Sequence, residues 1–133
     1  MKHDESYLQI AEVVAKRSYC KRNKVGAVIV KDNSVIAEGY NGTCYGRPNV
    51  CECLDGKTKD EVVHAEENAI LKVARSSQSC KGADLYLTLS PCIRCARLIV
   101  QAGIKRVIYR SQYRNIDGLC LLSNCGVYHE QLL

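Results

Sequence analysis

Two short stretches restrict this chain more than any other feature: Ser90-Pro91-Cys92-Ile93-Arg94-Cys95 and His64-Ala65-Glu66. A Cys-x-x-Cys pair offers two thiolates on neighbouring turns, and the histidine offers an imidazole nitrogen to the same ion. Three such ligands leave a fourth tetrahedral position open, which separates catalytic zinc from a closed structural site. The fold must then bring residues 64 and 92 to one point. Ser90-Pro91 reads as the passage from a strand to a helix, with serine suited to the N-cap and proline to the first helical position. Cys92 and Cys95 then share one face of the first turns, where a helix N-terminus favours thiolates. His64 and Glu66 are the harder case. Two residues apart inside a helix, their side chains point about 200° from each other. They can face one site only if His64 sits at the helix entry, before regular geometry begins. Glu66 is then a carboxylate that need not bind metal and can carry protons.

The rest of the chain reads as a scaffold for these motifs. At 133 residues it is long enough for one domain, residues 1–133, with its own core. Eight Tyr with no Phe and no Trp leave the core to Val, Ile, Leu and Ala. Residues 6–19 have the spacing of an amphipathic helix, with Asp4 or Ser6 as cap. Residues 25–30 and 34–40 read as strands joined by the turn-forming Lys31-Asp32-Asn33-Ser34. A long Gly- and Cys-containing loop runs to about residue 60. After it come a helix over 64–75, a strand over 83–89, a helix over 93–102 stopped by Gly103, a strand over 104–109, a helix from 117 and a short strand near 127–128. A hairpin followed by alternating helices and strands predicts a layered α/β domain.

No apolar run approaches the roughly 18–20 residues of a membrane span, and the first residues lack the apolar region of a signal peptide. The cytoplasm is the expected compartment, that of the host if the chain is viral, with no membrane partner. In that setting the nine cysteines point to metal ligation or burial rather than disulfides. The net charge of +5 favours an anionic small molecule or nucleic acid only weakly, because most surface Lys and Arg are simply solvated; no nucleic-acid partner is expected.

H-x-E followed by P-C-x-x-C is the pattern of zinc deaminases. With His64-Ala65-Glu66-Glu67-Asn68-Ala69-Ile70 and Ser90–Cys95 in hand, the chain resembles the zinc-dependent cytidine deaminase superfamily. Val25-Gly26-Ala27, Gly39-Tyr40-Asn41-Gly42, Asn68, Ala102-Gly103-Ile104-Lys105 and Tyr113 narrow the resemblance to the deoxycytidylate (dCMP) deaminase family. It implies a three-layer α/β/α fold with a five-stranded mixed sheet, and zinc on His64, Cys92 and Cys95 with Glu66 as proton shuttle. The implied reaction is hydrolysis of dCMP to dUMP and ammonia, which feeds thymidylate synthesis. Asn41 would contact the deoxyribose, the Ala65 backbone the base, and Tyr113 the cytosine ring, with Ser90 a further substrate contact. Arg22, Lys24 and Arg75 are further cations for a phosphate.

The resemblance also implies a homohexamer activated by dCTP and inhibited by dTTP. The effector site would involve Gly39, Tyr40, Asn41, Gly42 and Asn68 with magnesium. Family loops continue GYNG-x-Pro-x-Gly, whereas this chain has Cys44 at the proline position, which leaves the backbone less constrained there. Some members hold a second, structural zinc, and Cys20, Cys51 and Cys53 resemble three of its ligands. Three rival readings remain. They are a bifunctional dCMP/dCTP deaminase, a tRNA adenosine deaminase sharing both motifs, and a non-catalytic zinc module that binds nucleic acid.

Overall fold

The computed structural model describes residues 2–133, and its elements follow the expected alternation: α1 (Asp4–Ala15), β1 (Gly26–Lys31), β2 (Ser34–Tyr40), α2 (Ala65–Ala74), β3 (Asp84–Leu89), α3 (Ile93–Ala102), β4 (Arg106–Ser111), α4 (Asp117–Asn124) and β5 (Tyr128–Gln131). The strands form one sheet in the order β2-β1-β3-β4-β5. β1 pairs antiparallel with β2 and β3, while β3–β4 and β4–β5 are parallel, so the sheet is mixed. No helix among the described residues is long and apolar enough to cross a membrane.

Side chains alternate across a strand, and here that alternation fills two cores. Ala27 and Ile29 of β1, Leu85 and Leu87 of β3, and Val107 and Tyr109 of β4 face a core completed by Ala69 and Val73 of α2, Ile99 of α3, and Leu119 and Leu122 of α4. Val28, Val30, Tyr86 and Ile108 point the other way, onto Leu8 and Ala11 of α1. The central strands are buried on both faces, which explains their near-continuous apolar sequence. The hairpin turn places Asp32 and Asn33 at φ 50° and 63°. Positive φ at both central residues is the backbone that suits the strand twist, and Asn and Asp tolerate it well.

The first helix differs from expectation at both ends. It starts at Asp4, preceded by His3 at the N-cap, and stops at Ala15 rather than Tyr19. Neither Asp4 nor Ser6 caps it. The Asp4 carboxylate turns inward instead, accepting from Tyr86 Oη at 2.6 Å and Arg106 Nη2 at 2.9 Å. Arg106 also pairs with Asp84 at 2.9 Å, so this partly buried charge cluster ties α1 to β3 and β4.

Candidate metal centre and active site

Four chain segments converge at one end of the sheet: the residues before β1, those after β2, and those following β3 and β4. The long loop returns there because Gly42 and Val63 exchange two backbone hydrogen bonds, of 3.0 and 2.8 Å. That bridge delivers His64 beside Asn41. His64 is the N-cap of α2, with φ −75° and ψ 160°, and the helix begins at Ala65. The extended backbone at residue 64 removes the opposition between His64 and Glu66 that helical geometry would impose. Its Nδ1 lies 3.2 Å from Cys95 Sγ and 3.7 Å from Cys92 Sγ.

The other half keeps its expected helix, residues 93–102, but the N-cap lies two residues beyond the serine expected to hold it. Cys92, at φ −71° and ψ 170°, is the N-cap of α3, so Ser90 and Pro91 precede the helix. Ser90 is buried and does not cap; its Oγ accepts from the Tyr113 backbone N–H at 2.6 Å. That bond fixes the segment after β4 against the cysteine loop. At Gly118 of α4, an added Cβ would meet Pro91 O at 2.2 Å, so α4 packs directly on the same loop's backbone.

His64, Cys92 and Cys95 thus form a donor cluster, their ligand atoms all within 4.8 Å of one another. A tetrahedral zinc bonded to nitrogen and sulfur at about 2.1 and 2.3 Å separates such donors by about 3.6 Å, so the set fits this ion. Hydrogen bonding from Cys95 holds the Cys92 thiol down to about 3, and the same sharing pushes Cys95 up. The contact with Cys92 raises the His64 imidazole. A metal would displace the shared proton and leave two thiolates and a neutral imidazole. Glu66 is 4% exposed, and burial raises its carboxyl to about 7.

A cavity of about 590 Å³ opens above this cluster, lined by His64, Ala65, Glu66, Cys92, Asn41, Ser90 and Tyr113, among others. Asn41 is largely engaged by the chain itself, accepting from Val25 N–H at 2.9 Å and donating to Asn23 O at 2.8 Å. One amide N–H and one lone pair remain for a ligand. Arg22 also lines the cavity, whereas Lys24 donates to Ser18 O at 2.8 Å and Arg75 caps the far end of α2. Thr58, Gln112 and Arg114 join the lining without having been singled out in the sequence. Gln112 and Arg114 carried one sequence signal, their position on either side of Tyr113, and Thr58 carried none.

Gly39, Tyr40 and Asn68 come together as a packing joint. A Cβ on Gly39 would lie 2.5 Å from Ala65 O and 2.6 Å from Ala69 N, and Asn68 Nδ2 donates to Tyr40 O at 2.8 Å. These contacts seat α2 on β2. The cysteines also depart from expectation. Cys20 and Cys51 are joined in a disulfide and Cys53 is exposed, so the three-thiolate set for a second zinc is not assembled. The third donor beside that pair is Glu52, whose carboxylate accepts from the Lys21 and Arg22 N–H groups at 2.9 and 3.1 Å. Spacing alone could not reveal the pairing, because residues 20 and 51 meet only through the fold of the long loop.

The architecture and the His/Cys/Cys cluster beside a buried glutamate define a class, and the chain belongs to the cytidine and deoxycytidylate deaminase family, whose zinc-binding region matches residues 1–111. Among its relatives is the deoxycytidylate deaminase of Mycobacterium phage D29, 44% identical over 120 residues that cover 80% of this chain and 92% of that protein. The Schizosaccharomyces pombe deoxycytidylate deaminase is 39% identical over 143 residues and covers 98% of this chain, which spans 44% of the yeast protein. The crystal structure of a dCMP deaminase from cyanophage S-TIM5, in complex with dCMP and dUMP, superposes with a TM-score of 0.96 at 46% identity, covering 98% of this chain and 97% of that one.

Proposed function

We propose that this chain hydrolyses dCMP to dUMP and ammonia, with His64, Cys92 and Cys95 holding zinc and Glu66 moving the protons. The observation that carries the reading is the Glu66 carboxyl, buried at the cavity floor beside the three donors. It is supported by the near-complete superposition on a deaminase solved with dCMP and dUMP. Zinc, when bound, supplies Lewis acidity that lowers the pKa of water to about 7.

The remaining work falls to the chain. Water adds to C4 of the cytosine ring, forming a C–O bond, and Glu66 takes the proton released and passes it to N3. The carboxylate then takes the proton of the new C4 hydroxyl and delivers it to the amino nitrogen, so C4–O becomes the carbonyl, the C4–N bond breaks and ammonia leaves. A carboxyl titrating near neutrality can do both, because donor and acceptor forms are comparably populated. The Ala65 backbone faces the base, Tyr113 stacks beside it, and Asn41 and Ser90 hold the sugar side. Arg22 and Arg114 at the mouth suit a 5′-phosphate. Effector control by dCTP and dTTP with magnesium, and a hexameric assembly, are parts of the same reading.

Ammonia release should be followed with deoxycytidine, dCMP, dCTP and tRNA, with and without dCTP and dTTP. Preference for dCMP is the expected outcome. Glu66→Gln should keep its zinc and lose about 10²–10⁴-fold in kcat. Equal turnover of deoxycytidine and dCMP, or an active Glu66→Gln variant, would refute the assignment.

A further inference from the structure

We propose that Glu67 is a positioning residue of the metal centre, its carboxylate holding His64 in the backbone conformation that lets His64 and Glu66 face one cavity. The inference rests on the proposed function insofar as His64 is taken as a ligand. Glu67 is the third residue of α2, and its Oε1 accepts from the His64 backbone N–H at 2.9 Å. An N–H at a helix start has no partner within the helix, and a glutamate at this position is the side chain that reaches back to it.

The starting point of the helix therefore gives two adjacent carboxylates two different roles. With His64 as N-cap, Glu67 closes the cap outside the cavity and Glu66 is left buried at its floor. Were the helix to begin one residue earlier, Glu66 would occupy the capping position. Its carboxylate would then be drawn to the backbone, and His64 would swing about 200° away from it. Glu67 bonds to the centre at the His64 N–H, and its charge adds, after burial, to what raises the Glu66 carboxyl. Glu67 does not line the cavity.

The test uses the full chain with zinc. Zinc affinity of Glu67→Ala and Glu67→Gln is measured by competition with a chromophoric chelator, alongside the urea unfolding midpoint. Loss of an outer partner of a ligating histidine weakens metal binding by about 10–100-fold, and that is the result expected for alanine. Glutamine also closes this cap, so Glu67→Gln should stay within about threefold of wild type. Alanine that lowers the urea midpoint but leaves zinc affinity unchanged would overturn the proposal. So would equal weakening by both variants, since charge and not the hydrogen bond would then be responsible. If the alanine variant does not fold, Glu67→Met replaces it, keeping length and helix propensity without the acceptor, and the same outcomes decide. A wild-type protein that binds zinc but fails to deaminate dCMP overturns the substrate reading and leaves this inference standing.

Discussion

Replacing Gly39 by alanine tests whether the joint between β2 and α2 sets the active-site geometry. The new Cβ would lie 2.5 Å from Ala65 O and 2.6 Å from Ala69 N, and both obstacles are helix backbone that cannot rotate aside. Restoring an ordinary contact near 3.4 Å requires α2 to move away from the sheet by about 0.9 Å. Ala65 stands between His64 and Glu66, so this displacement reaches both with little attenuation. Misplacement of reacting groups by about 1 Å costs on the order of 10²-fold in rate, and overpacking costs about 1–3 kcal/mol. Gly39→Ala should therefore lower kcat/KM for dCMP by about 100-fold. Taking the loss as about 2 kcal/mol and a slope of about 2 kcal/mol/M, the urea midpoint should fall by about 1 M. Kinetics by ammonia release and unfolding by circular dichroism measure the two effects. Unchanged basal kinetics with a lost dCTP response would refute the packing argument and return Gly39 to an effector site.

Other expectations follow from the same contacts. Asp4→Asn removes one of the two carboxylates around Arg106 and should cost about 2 kcal/mol at pH 7, a typical loss for a hydrogen bond to a charged group. Burial alone would raise the Asp4 carboxyl, but hydrogen bonds from Arg106 and Tyr86 outweigh it and hold the group below its ordinary value. Its stabilisation is therefore present above the unfolded pKa of about 3.9 and disappears as pH falls through the lowered folded value. The gap between the urea midpoints of wild type and variant should narrow steadily as pH falls below about 3.9, and a gap that stays constant throughout that fall contradicts the ion-pair account. Thiol titration of the unfolded, metal-stripped and unreduced chain should count seven of the nine cysteines, because Cys20 and Cys51 are bonded. A count of nine removes the disulfide. Arg114→Ala should raise KM for dCMP by about tenfold, the equivalent of about 1.4 kcal/mol, and leave deoxycytidine unchanged; a matching change for deoxycytidine would exclude a phosphate contact.

Much of this was legible in the residues because it depends on local rules. Short apolar runs in residues 26–31 and 84–89, bounded by glycine and polar residues, read as strands from local composition alone. Gly103, at φ 85°, ends α3 where a left-handed residue is needed. The donor types, their spacing and the need for His64 to precede its helix follow from ligand chemistry and helix geometry. Other features depend on contacts across long sequence separations. Ser90 has the composition of a cap, yet Tyr113, 23 residues away, takes its hydroxyl. Asp4 likewise suits a cap, and Arg106 draws it inward. Gly39 belongs to a motif that looks like a ligand-binding loop, whereas only the approach of α2 explains why a side chain cannot fit there.

The sequence by itself determined the order of elements, the His/Cys/Cys donor set and the glutamate proposed to carry protons, since each is a property of a few neighbouring residues. Tertiary structure alone decided where the two halves meet, which glutamate caps and which stays buried, and what Cys20 does. Those outcomes depend on which surfaces pack together, and backbone contacts such as Gly39 with α2 and Gly118 with the Pro91 loop leave no local trace in the chain.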